Sequence, residues 1–102
     1  MAKPPYDRRI AIRLLKVLLE HPEGIWLSKL AKESRVAVST TSHYLDHHLS
    51  ALVEETRIGE EKSVIRIVRL KSQIYEKCCK SSNPIRDLLR TIDIIKNYRS
   101  SV

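Results

Sequence analysis

Glycine is nearly absent: the 102 residues contain two, Gly24 and Gly59. Phosphate-cradling loops and nucleophile elbows need glycine where the backbone approaches a ligand or turns sharply, so this scarcity argues against an enzyme built on either. No paired-carboxylate motif compensates, and the expectation is a protein without catalytic residues, resident metal or cofactor. Cysteine is limited to the neighbours Cys78 and Cys79. A bridge between adjacent residues closes a strained ring, which points to two reduced thiols and a cytoplasmic setting. Cysteines at a helical contact are more often small hydrophobes than redox sensors. No apolar run approaches the ~20 residues that span a bilayer, and the opening MAKPPYDRR lacks the apolar segment of a secretory signal. A membrane partner is therefore not expected.

What the chain does have is enough apolar residues for a core, 42% in short clusters, and a length suited to one fold. It also has a surplus of Lys and Arg, with net charge +7 and pI ≈ 9.7. Each phosphate that a basic side chain neutralises releases condensed counterions, so nucleic acid is the favoured partner class. The surplus is uneven. Residues 21–52 carry three bases and three acids.

Met1–Tyr6 contains Pro4 and Pro5 and reads as an arm. Asp7 is placed to cap a first helix, Arg8–Glu20, in which Ile10, Ile12, Leu14, Leu15, Val17, Leu18 and Leu19 recur at helical spacings. His21-Pro22-Glu23-Gly24 stops it. Gly24–Leu27 predicts a short strand, with Ser28 capping a second helix over Lys29–Ser34. After a break at Arg35–Ala37, a third helix begins at Val38 or Ser39 and is predicted to run to Leu52, with Thr41, Leu45, Leu49 and Leu52 inward. Val53–Ile58 and Ser63–Leu70 predict a β-hairpin. Ser72–Lys80 and Pro84–Tyr98 return to helical spacing, the latter with Asn83 as cap, Pro84 at the first position and Asp87 in the first turn.

Helix, short strand, helix, helix, hairpin is the element order of a winged helix. The stretch Leu27–Glu55 resembles the helix-turn-helix of small bacterial and archaeal winged-helix regulators. In that pattern Leu30-Ala31 lies on the second helix and Val36 in the turn. A Ser/Thr-rich start to the recognition helix follows, then a buried Leu45 and the apolar pair Leu52-Val53 entering the wing. The resemblance implies a mainly helical α+β fold: a winged helix-turn-helix over 7–71 with a two-stranded wing, an arm over 1–6, and additional C-terminal helices over 72–102. It implies a homodimeric transcription regulator that reads double-stranded DNA through its third helix. The alternative is a winged-helix adaptor that binds protein within transcription or replication machinery.

The residues themselves assign the contacts. With Thr41, Leu45 and Leu49 inward, helical geometry turns Ser39, Thr40, Ser42, His43, Asp46 and His47 outward, toward base edges. None of these is Lys or Arg. Phosphate contacts are therefore expected from Arg8, Arg9 and Arg13 on the first helix, Lys29 and Lys32 on the second, and Arg57, Lys62 and Arg66 on the hairpin. His43 and His47, one turn apart, supply only two potential metal ligands, which do not make a site. On the last helix Ile85, Leu88, Leu89, Ile92 and Ile95 form an apolar strip, expected to pair with its copy in a dimer seam.

Overall fold

The computed structural model describes residues 6–59 and 65–100. Among them are five helices and a small three-stranded antiparallel sheet: α1 (Arg8–Glu20), β1 (Ile25–Trp26), α2 (Leu27–Ser34), α3 (Val38–His47), β2 (Val53–Ile58), β3 (Ile65–Leu70), α4 (Ser72–Lys80) and α5 (Pro84–Ser100). The architecture is mainly helical α+β.

Local chemistry explains most of these bounds. The Arg9 backbone N–H donates to Asp7 Oδ1 at 2.9 Å and starts α1, and His21 N–H closes its end on Leu18 C=O. Asn83 Oδ1 accepts from Arg86 N–H at 3.2 Å, the cap expected before Pro84. The cap expected from Ser28 is absent: α2 begins one residue earlier, at Leu27, with Trp26 in the cap position and no side-chain cap bond. At its other end Arg35 takes the left-handed conformation (φ 59°), while Val36 N–H donates to Ala31 C=O. That is a Schellman ending with arginine where glycine is usual, and Val36 packs its side chain back on the core.

The sheet has the order β1-β3-β2. The hairpin is therefore not a free two-stranded wing at its base, because β1 adds a third strand through Ile25↔Val68 and Trp26↔Ile67. Gly24 makes that pairing possible. Its φ is +118°, and a Cβ there would stand 2.8 Å from Ile67 Cγ2. β2 and β3 pair in register from Val53↔Leu70 out to Ile58↔Ile65.

α3 is shorter than its sequence pattern predicts. His48 N–H reaches Tyr44 C=O in the ordinary helical pattern and Leu49 N–H reaches the same carbonyl from one residue further on, at 2.8 Å each, so the last turn widens and the helix ends there. Leu49 and Leu52 are buried beyond the helix, delivered by the turn that follows.

The core centres on α1, where Ala11, Leu14, Leu15 and Leu18 are inaccessible to solvent. α2, β3 and α5 pack around it. This corrects the expected dimer seam. Leu88, Leu89 and Ile92 are 3, 5 and 1% exposed within a single chain. The reason is that α5 packs on both α1 and α4, and Ile10, Ile12 and Leu19 of α1 and Ile85 of α5 lie at the margin of the same core. Ile85 and Ile95 are half-buried, and Ile94 is left 62% exposed.

Candidate nucleic-acid interface

Thr41, Tyr44 and Leu45 form the inner side of α3, and the remaining residues make a polar outer side. Ser39, Asp46 and His47 are exposed there, while Thr40, Ser42 and His43 are half-buried at its edges. Tyr44 is the inward residue that the sequence reading missed. Its ring is 2% exposed, and its hydroxyl accepts the Asp7 N–H at 2.7 Å, which ties the start of α1 to α3. The 41-44-45-48 spacing carries that information, but flanking histidines and serines mask it as polar.

Arg66 on β3 reaches across to α3. Its guanidinium donates to Ser42 Oγ at 2.8 Å, Asp46 Oδ1 at 2.9 Å and Glu55 Oε1 at 2.5 Å. The side chain is only 15% exposed. Burial alone would lower its pKa, and the bonds to Glu55 and Asp46 outweigh that and raise it. Arg66 is thus a brace between α3 and the hairpin, bonded to Ser42, Asp46 and Glu55 of the chain itself. Ser42 and Asp46, expected at base edges, present atoms to this brace.

Behind the outer side lies an aromatic cluster. The His48 ring sits 4.9 Å from Tyr6 and 4.8 Å from Tyr44, centroid to centroid, and Lys96 Nζ stands 3.4 Å over the Tyr6 ring. Neither ring nitrogen of His48 has a hydrogen-bond partner among the described residues. Burial, reinforced by Lys96, His43 and His47, pushes its pKa down to about 4. Between the ordinary value of 6.5 and about 4, the unfolded chain binds a proton that the fold refuses. The stability carried by neutral His48 is complete above the higher value and is lost as pH falls toward the lower. Thermal unfolding followed from neutral pH down through this window should show a falling Tm, with a shallower fall in His48→Phe; equal slopes would remove His48 as the cause.

The basic residues surround this face unevenly. Arg8, Arg9 and Arg13 are exposed on α1, with Arg9 in a 3.4 Å pair with Asp7. Ser28, Lys29, Lys32, Glu33 and Arg35 line a shallow depression on α2 and the turn after it. Arg35 was not singled out from sequence, although it follows Lys32 by three residues and so extends the same basic side. Lys29 pairs with Glu33 at 3.8 Å, whereas Lys32 and Arg35 have no ion pair among the described residues. Arg57 is exposed beside Glu55, at 3.9 Å. Lys62 lies outside the described residues.

The His43 and His47 rings lie against one another, centroids 4.5 Å apart and tilted by 43°. The His/carboxylate group whose donor atoms do converge is elsewhere, at Glu20, His21 and Glu33. There the His21 ring faces Glu23 at 3.4 Å and Glu33 at 3.3 Å, linking the end of α1 to α2. Cys78 is buried and Cys79 exposed, both as free thiols. Among the described residues no helix is long and apolar enough to cross a membrane.

No family model and no curated protein matches the chain. A solved structure described as a possible transcriptional regulator from Methanosarcina mazei Go1 is similar in fold. It superposes with a TM-score of 0.51 at 17% identity, over 95% of this chain and 74% of the other.

Proposed function

We propose that this chain is a DNA-binding transcription regulator of the winged helix-turn-helix class, with α3 as reading helix and the β2–β3 hairpin as wing. The observation that carries this reading is the Arg66 brace, which joins the polar side of α3 to the hairpin stem and makes helix and ribbon one continuous surface. A major groove admits an element of that width. Ser39, Thr40, His43 and His47 are the proposed base readers. Arg8, Arg9, Arg13, Lys29, Lys32, Arg35, Arg57 and Lys62 are the proposed phosphate contacts, and Asp7–Tyr44 holds the first of these beside α3. The fold likeness to a possible transcriptional regulator supports the same role. The role is binding, without catalysis, in the cytoplasm.

We further propose a homodimer whose contact uses the exposed outer edge of α5 at Ile94, since Leu88, Leu89 and Ile92 serve the chain's own core. Two copies would address half-sites about one helical turn apart, ~34 Å. The adaptor reading rests on a different observation: Trp26 is 53% exposed on the edge strand and Val38 51% exposed at the start of α3.

Fluorescence anisotropy with short DNA duplexes separates the two. Binding should weaken steeply with salt, and Lys32→Ala with Arg35→Ala should reduce the slope of log K against log[salt] by roughly two counterions while sequence preference persists. An unchanged slope would move the phosphate contacts elsewhere. No binding at ~50 mM salt would favour the adaptor.

A further inference from the structure

The helices α4 and α5 meet at an angle that leaves a cleft of about 250 Å³ between them, away from α3 and the hairpin. Its floor is apolar. Ile74 and Leu88 face it together with Cys78, whose thiol burial pushes up in pKa, so that it stays neutral and adds to the apolar surface. Two cations, Lys77 on α4 and Arg90 on α5, stand at its rim, both exposed and both without an ion pair among the described residues.

The acid at the same rim is already engaged. The Asp87 carboxylate accepts the Ser81 hydroxyl, and Thr91 Oγ1 donates to the Asp87 carbonyl at 3.0 Å, so both polar groups serve the first turns of α5. What the cleft offers a ligand is an apolar floor beneath a rim on which two cations, Lys77 and Arg90, outnumber the one carboxylate, Asp87, whose charge the Ser81 hydroxyl bond leaves in place. Size narrows the ligand further. A dry apolar cavity of ~150 Å³ accommodates benzene, so this cleft takes one ring or a short aliphatic chain together with one charged group.

We infer that the α4–α5 cleft binds a small amphipathic anion, an apolar body carrying one carboxylate, with the body on Ile74 and Leu88 and the carboxylate between Lys77 and Arg90. Both helices contribute to the same core as α1 through Cys78, Leu88 and Leu89, so an occupant would bridge α4 to α5 and stiffen the packing behind the reading helix. This is the position of an effector site. The binding itself does not depend on the DNA-binding reading, and its test uses no DNA.

Methyl NMR of the full chain, titrated with benzoate and hexanoate and separately with benzamide and hexanamide, reads occupancy at Ile74 and Leu88. The carboxylates should give saturable shifts of those methyls, and the neutral amides should bind at least tenfold more weakly. Lys77→Gln and Arg90→Gln should each weaken carboxylate binding about tenfold, the loss of one charge-assisted contact. Both residues are exposed, so the variants should melt with the wild type. Thr91→Leu, which fills the cleft, should abolish the shifts while the fold persists. The inference is overturned by an absence of saturable shifts up to ~20 mM, a range that covers weak fragment binding. Amides binding as well as acids, or shifts indifferent to Lys77 and Arg90, would overturn it equally.

Discussion

Ile92→Glu should strongly destabilise the domain. The side chain is 1% exposed and packs on the core around α1, so an ionised carboxylate there would be buried without a partner. Such changes cost about 3–5 kcal/mol, a large part of the 5–15 kcal/mol that holds a domain of this size together. At roughly 4–8 °C per kcal/mol, Tm should drop by about 12–40 °C. Ile94→Glu supplies the contrast. Ile94 is 62% exposed, so this variant should melt near the wild type and instead weaken self-association. Light scattering and thermal melts on both variants check the pair. An Ile92→Glu monomer that melts with the wild type would restore Ile92 to an intersubunit seam, and a wild type that is already monomeric at micromolar concentration would end the dimer proposal.

Arg66→Met is expected to cost both stability and DNA affinity. Removing the guanidinium leaves the Asp46 and Glu55 carboxylates close to one another and deprives Ser42 of its donor. With side-chain exposures of 48% for Asp46 and 21% for Glu55, water relieves part of the repulsion, so the stability loss should be about 1–3 kcal/mol. The functional loss has a separate cause. An unbraced α3 can shift relative to the hairpin, and two unneutralised carboxylates face the polyanion, so affinity for the preferred sequence should fall about tenfold to a hundredfold. Because the arginine donates inward, the salt slope should not fall by the single counterion that a lost phosphate contact would remove. Arg66→Lys should rescue little, since one ammonium cannot reproduce the planar fork that serves three acceptors. Adding Glu55→Gln to Arg66→Met should recover part of the stability. A wild-type affinity in Arg66→Met, or a slope reduced by one, would refute the brace.

The bounds of α1, β2 and α4, the end of β3 and the start of α5 were legible in the sequence because their signals are local; Ser63 and Val64, expected in the second hairpin strand, lie outside the described residues. Asp7 caps its own first turn, Pro22 and Gly24 stop α1 in place, the β-branched run before Leu70 prefers a strand, and Asn83-Pro84 opens a helix wherever it stands. The exposure of Ser39, Asp46 and His47 on α3 was legible for the same reason, since helical geometry divides them from Thr41 and Leu45, whereas Thr40, Ser42 and His43 are half-buried.

Only the tertiary structure decided what those faces meet. The strip Leu88, Leu89 and Ile92 reads identically whether a second copy or the chain's own α1 covers it, and the choice depends on how α4 turns the chain. The end of α3 was set by bonds to Tyr44 that bring Leu49 and Leu52 inward without helix. Arg66 read as one more surface cation because its partners Ser42 and Asp46 lie 24 and 20 residues away in the chain. Tyr44 was hidden likewise, its hydroxyl engaging a backbone 37 residues earlier. Periodicity reports which side of an element is apolar and which is polar. It carries no information about which distant group arrives on that side, and at this surface the arriving groups determine which polar atoms stay free and which are tied to the chain itself.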